Sequence, residues 1–388
     1  MIAPSSFIKE MRPYAFAEID KAKDELERRG IDIIDFGVGD PASPTPNIVR
    51  SACKKAVEKR ACSGYPSYQG SWEFRSAVAR WFKRRFGVSL DPNEELTATL
   101  GSKEAIFTLP LAYVDPGDVV LVPDPGYPPY TAGTMARQGR CLYLALEEGR
   151  SFLPDLSAVP SSELKKAKLL WINYPNNPTT KIATRQFLKE AVDFCADHHI
   201  LLASDEAYSE IFFDERPTSV LTVQGADEVS LVFNSLSKRS SMTGYRIGFV
   251  AGRKDLLSPF KKVQTQVHSG VPTFIQDAAV AALSDEAHVT RLRQQYREKR
   301  DALVRSLKSI GLESVYAEAT FYVWARTPEG YDSVRFSQHL LSNAHINTVP
   351  GTALSQATTA GDLFVRFALV PSLRRTREAC SRIENLEF

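Results

Sequence analysis

Apolar positions along the chain fall into two registers. Between residues 14 and 29, Phe16, Ile19, Ala22 and Leu26 recur at helical spacing among charges, and Gly30 closes the segment. Helices are likewise predicted over about 47 to 59 and through Phe74, Val78, Trp81, Phe82 and Phe86. The turn-rich run Gly64 to Gly70 separates these two, and Pro41, Pro44 and Pro46 hold the loop before them extended. From Leu96 onward, short apolar runs alternate with helical segments, and strands are predicted at 96–100, 119–122, 169–173, 200–204, 229–234 and 247–251. That alternation predicts an α/β fold, a mostly parallel sheet between helices. After about residue 285, Leu292, Tyr296, Leu303 and Leu307 mark a long charged helix, followed by strands at 321–325 and 363–369. The expected division is a large domain over 45–285 and a smaller α+β domain made of 286–388 with the N-terminal segment 1–44.

Length agrees with two bodies, since 388 residues exceed what one core usually supports. With 48 basic and 46 acidic residues the net charge is +2, which gives no electrostatic reason for nucleic acid or an anionic membrane as partner. The basic residues between Arg291 and Lys308 alternate with acids and read as a solvated helical face. No run reaches transmembrane length and no charged-then-apolar leader opens the chain, so a cytoplasmic protein is expected. The five cysteines are scattered without a Cys-x-x-Cys pair, and the six histidines lack ligand spacing; reduced thiols and no metal site are expected.

Candidate chemistry centres on Ser235 to Phe249. Lys238 stands among small hydroxyl residues between two apolar runs, and Arg246 follows it by eight positions. A lysine in a partly apolar site loses hydration, its pKa falls, and the neutral amine can form a Schiff base with a carbonyl. Hydroxyls with an arginine suit a phosphate. The pair therefore points to an aldehyde bearing a phosphate, pyridoxal phosphate; a solvated loop between strands accounts for the stretch equally well. Gly101-Ser102-Lys103 opens a helix after a strand and reads as a phosphate cradle or as an N-cap by Ser102. Asp205 ends a strand, where a carboxylate could keep a pyridine nitrogen protonated or cap the next helix, and Tyr208 follows three positions on. Asn176-Asn177-Pro178 is a turn signal, and Tyr127 is a turn aromatic or a stacking platform. Arg366 lies inside an apolar strand, so an anion should meet it, either an internal acid or a substrate carboxylate.

The ordered set Asn177-Pro178, Asp205-x-x-Tyr208, Ser235-x-x-Lys238 and Arg246 resembles the class I/II aminotransferases, the fold-type I pyridoxal phosphate enzymes, over nearly the whole chain. The resemblance implies an aspartate aminotransferase-like fold with a seven-stranded sheet. It implies Lys238 as the Schiff-base lysine and proton shuttle, Asp205 on the pyridine nitrogen, Asn177 and Tyr208 on the phenolic oxygen, and Tyr127 against the ring. Ser102, the Lys103 backbone, Ser235 and Arg246 would hold the phosphate, joined by Tyr65 of a second subunit. Arg366 and Gly39 would take the substrate carboxylate, in a homodimer acting on an amino acid and a 2-oxoacid.

Finer wording, including Pro13 to Asp20, Asn173 to Pro178 and Ala319 to Ala325, is similar to the LL-diaminopimelate aminotransferase branch. That branch would exchange an amino group between glutamate and tetrahydrodipicolinate in lysine biosynthesis. Succinyldiaminopimelate, aspartate and alanine aminotransferases are alternatives, as are an amino-acid lyase using the same residues and a non-catalytic regulatory domain. Three positions depart from the pattern: Thr180 stands where the family usually has glycine, the loop 351–361 is not glycine-rich, and Arg239-Ser240-Ser241 is similar to the succinyldiaminopimelate enzymes.

Overall fold

The computed structural model describes residues 2–11, 17–41 and 43–387. A two-residue strand, β1 (Ile34–Asp35), precedes the main sheet strands: β2 (Leu96–Thr99), β3 (Val119–Asp124), β4 (Arg140–Ala145), β5 (Ala167–Asn173), β6 (Leu201–Asp205), β7 (Ser230–Ser235) and β8 (Gly248–Ala251). These seven pair in the order β2-β8-β7-β6-β5-β3-β4, and only β8 runs against the others. Apart from Lys168 near the start of β5, the central strands are buried throughout, which is why they read as continuous apolar runs. Edge strand β4 was not predicted; covered along one side only, it keeps several half-exposed positions and shows no such run.

Helices cover both faces of this sheet. The helix Trp72–Phe86 starts where Ser71 Oγ accepts from Phe74 N at 3.2 Å and ends at Gly87, φ +78°. Phe74, Val78, Trp81 and Phe82 are buried against the sheet, with Trp81 meeting Phe249 edge-on at 6.0 Å. Each such side chain contributes roughly 1.5–3 kcal/mol relative to exposure. The helix expected over 14–29 is seen over Ala17–Arg28; Phe16 lies outside the described residues.

A second core gathers on strands β9 (Val315–Tyr316), β10 (Tyr322–Arg326), β12 (Val349–Pro350) and β13 (Phe364–Ala368), paired in the order β12-β13-β10-β9. The helix Ala287–Ser309 buries Leu292, Tyr296, Leu303 and Leu307 there and packs on the helix Leu373–Glu384. The N-terminal segment joins this body: β1 pairs in parallel with β11 (Ile346–Asn347), and Ala368 N donates to Phe36 O at 2.7 Å. Among the described residues no helix is long and apolar enough to cross a membrane.

Candidate active site

The parallel strands of the large sheet deliver the candidate residues to one edge. Asn173, Asp205 and Ser235 are the last residues of β5, β6 and β7, and Asn173 lies opposite Asp205 in register. Beyond β2, Gly101, Ser102 and Lys103 form the first turn of the helix Gly101–Thr108. Because β8 is reversed, its entry rather than its exit lies at this edge, with Gly248 opposite both Thr99 and Ser235. Arg246, two residues before Gly248, is thereby brought to the same place. Carboxyl ends of parallel strands are where open α/β sheets bind ligands.

Arg246 ties the two turns together. Its Nη1 donates to Thr243 O at 2.7 Å and its Nη2 to Leu100 O at 3.4 Å. At Gly101 φ is +75°, and a Cβ would lie 2.5 Å from Arg246 Nη2, so this close approach requires glycine. Ser235 Oγ accepts from Ser237 N at 3.2 Å and starts the short helix Leu236–Arg239 that carries Lys238. Ser102 is not the N-cap: Leu100 occupies that position and no side chain caps the turn. First-turn N–H groups point out of a helix without intrahelical acceptors, so the uncapped turn suits an anion better than a self-contained cap would.

Lys238 Nζ donates to Gly39 O at 2.8 Å and lies 5.3 Å from the centre of the Phe321 ring. Burial pushes its pKa down to about 8, against an upward pull from Asp40, with Arg366 and Arg246 adding to the fall. Asp205 is buried, and burial raises its carboxyl to about 6 although Tyr130 Oη donates to Oδ2 at 2.7 Å. Its other oxygen accepts from Ala207 N at 3.2 Å, but no helix follows for it to cap. The Tyr208 phenol, raised far above its usual range mainly by burial, stays protonated and shares a 3.1 Å hydrogen bond with the Tyr322 hydroxyl.

Arg366 is buried on β13. Its Nη1 donates to Asn177 Oδ1 at 3.0 Å, its Nη2 donates to Gly37 O at 2.9 Å, and its guanidinium lies 4.4 Å over the Tyr322 ring. With Asn177 Oδ1 accepting from the arginine, the Asn177 amide N–H groups are what it can offer another oxygen. Tyr127 begins the helix Pro128–Ala136 and meets Tyr130 edge-on at 5.8 Å. Tyr65 stands in solvent, 91% exposed.

Sequence reading missed the supports. Tyr130 stacks on Trp171 at 4.8 Å while holding Asp205. Asn173 Nδ2 donates to Asp205 O at 2.9 Å and its Oδ1 accepts from Asn177 N at 2.9 Å, so one strand-end amide fixes two candidates. Asparagine closing an apolar run, as Asn173 does, is the signal that was available. Thr180, where glycine was expected, has φ +66°, and its Oγ1 accepts from Glu318 N at 3.2 Å. The turn keeps the left-handed geometry that favours glycine and gains a side-chain hydrogen bond.

The set fits a phosphorylated aldehyde with a basic ring: an amine near neutral pKa, a buried carboxylate, a phenol, and a glycine turn pressed against an arginine. The family model of aminotransferase class I and II matches residues 31–383. An LL-diaminopimelate aminotransferase of Aquifex aeolicus is 45% identical over 386 residues, 99% of each chain. One from Halothermothrix orenii is 42% identical over 98% of each. The solved substrate-bound structure of BacF from Bacillus subtilis superposes with a TM-score of 0.93 at 32% identity, covering 99% of this chain and 98% of its own. The chain belongs to the class I and II aminotransferases, the pyridoxal phosphate-dependent transaminases of aspartate aminotransferase-like fold.

Proposed function

We propose that this aminotransferase acts on LL-diaminopimelate and tetrahydrodipicolinate, with glutamate and 2-oxoglutarate as the other pair, on a lysine-forming route. The observation that carries the substrate is the LL-diaminopimelate aminotransferase name borne by relatives 42–45% identical over nearly the full chain. When bound, pyridoxal phosphate carries the amino group between substrates, and its protonated ring takes up the electron pair left at the substrate α-carbon.

Each candidate residue has a task in this reading. Lys238 anchors the cofactor and moves a proton at Nζ, for which a pKa of about 8 is suited near neutral pH. Asp205 would pair with the ring nitrogen, and Tyr208 with the Asn177 amide would hold the ring oxygen. Tyr127 would stack on the ring. Ser102, the Lys103 backbone, Ser235 and Arg246 would hold the phosphate. Arg366 and the Gly39 backbone take the substrate α-carboxylate; the guanidinium, already oriented by Asn177 and Gly37, offers a planar fork for it.

The same proposal includes the domain division at 45–285 against 1–44 with 286–388, supported by a core on the large sheet drawn from within 49–283 and by the pairing of 34–35 with the second body, although Tyr208, Ile211 and Phe213 also pack into the second core. It also includes a cytoplasmic homodimer. Ile48, Val57, Tyr65, Tyr68 and Trp72 are exposed within one short stretch, as a surface met by a second copy would be.

A spectral screen of single amino acids tests the substrate. LL-diaminopimelate and glutamate should convert the bound aldehyde to the amine form, faster than aspartate or alanine do. An unchanged spectrum with LL-diaminopimelate, beside full conversion by aspartate, would overturn the assignment.

A further inference from the structure

Tyr322 touches three parts of the site at once. It opens β10, is 2% exposed, and lies two positions before Trp324, which faces Arg366 in register. Its hydroxyl is 3.1 Å from that of Tyr208, and its ring lies 4.4 Å beneath the Arg366 guanidinium. A Cβ at Gly39 would run into the Tyr322 hydroxyl, so the backbone that accepts from Lys238 is shaped around this phenol.

We propose that Tyr322 is a positioning residue of this site: its hydroxyl commits Tyr208 to donating toward the cofactor ring oxygen, and its ring carries Arg366 toward the substrate carboxylate. The inference rests on the assignment of Tyr208 to that oxygen. A phenol has one proton. Of two phenols joined by a single hydrogen bond, one donates and the other accepts, and the accepting one keeps its own proton for a third group. If Tyr208 gives its proton to the ring oxygen, Tyr322 must be the donor between them. Donation to Tyr208 polarises its O–H and strengthens the next bond in the chain. The Tyr322 hydroxyl therefore lowers the proton affinity of an oxygen that it does not touch.

The ring has a separate task. Arg366 is held edge-on by Asn177 Oδ1 and Gly37 O, and the aromatic face below fixes the plane in which the guanidinium meets a carboxylate. Two substitutions separate the tasks, because phenylalanine keeps the ring and leucine removes both.

The test uses the holoenzyme and its Tyr322→Phe, Tyr322→Leu and Tyr208→Phe variants, read by the pH at which the bound cofactor's visible absorbance changes and by KM for the amino donor. Tyr322→Phe should raise the spectral midpoint by about half a unit to one unit, in the same direction as Tyr208→Phe and by less. Tyr322→Leu should add a rise in KM of roughly two- to tenfold, more than its effect on kcat, through the lost platform under Arg366. A Tyr322→Phe midpoint equal to the parent's, beside a shifted Tyr208→Phe, overturns the donor role alone. An unshifted Tyr208→Phe removes the placement of Tyr208 and this inference with it, and an unchanged KM in Tyr322→Leu overturns the platform.

Discussion

Lys238 shows at the scale of one residue how a site works against the stability of the fold around it. Among the described residues its ammonium donates to Gly39 O, and burial lowers its pKa from 10.5 to about 8. In the empty protein, native and unfolded chains are both protonated below about pH 8, but the native one holds its proton more weakly, so the full penalty applies there. Between about 8 and 10.5 the unfolded state binds more protons, stability rises with pH, and above 10.5 the penalty is gone. At about 1.4 kcal/mol per unit this is an upper bound near 3 kcal/mol. Lys238→Met, which fills the same volume without charge, should therefore make the cofactor-free protein more stable by roughly 1–3 kcal/mol at pH 7. The advantage should fade toward pH 10.5, as urea unfolding of the two proteins at several pH values would measure. Lys299, also lowered to about 8 by burial, titrates in the same window in both proteins and cancels in the difference.

Among elements, the junction of β3 with the loop before β13 centres on one carboxylate. Asp124, fully buried at the end of β3, accepts from Gln356 N at 2.7 Å, Ala357 N at 3.0 Å and Thr358 N at 2.6 Å. Gly126 N, on the turn that leads to Tyr127, donates to Leu354 O at 3.0 Å. The loop 351–361, which lacks the glycine-rich wording of the family, is thus held from outside, by an acid on another strand. Asp124→Ala removes a charged acceptor from three N–H groups and should cost about 2–4 kcal/mol, with Asp124→Asn intermediate because it keeps one oxygen. A fall in the denaturant midpoint without a change in slope is the measurement.

This contact also marks where sequence reading stops. Central strands and long helices were legible because each buries a run or a stripe of its own residues, as β6 and the helix Ala287–Ser309 do. The two-residue strand β1 exists only through a partner more than 300 positions away, so no local pattern announces it. Lys238, Asp205 and Arg366 were readable as charges in apolar settings. Tyr130 and Tyr322 were not, since a tyrosine in an apolar run looks like core until the fold puts a carboxylate or a second phenol beside it.

For the whole molecule, the remaining question is where a complete site lies. Lys238, Asp205, Arg246 and Arg366 converge within one chain, whereas Tyr65 is 91% exposed, and in the proposed homodimer it would serve the site of a second copy. The homodimer proposed above makes an asymmetric prediction. Lys238→Ala destroys the site of the chain that carries it, and Tyr65→Ala damages the site of the other chain. Two pure variant dimers are therefore both defective, but in a mixed dimer the subunit bearing Tyr65→Ala keeps its own Lys238 and receives an intact Tyr65 from its neighbour. The opposite subunit lacks both. Random reassociation gives mixed dimers for half the population and one sound site of two in each, so mixing should restore about a quarter of the parent activity. If Tyr65 served its own chain, every site in the mixture would carry one of the two lesions, and mixing would restore none. Unfolding and refolding the two variants together, then measuring transamination against each alone, distinguishes these arrangements, and the restored fraction should rise with the extent of subunit exchange.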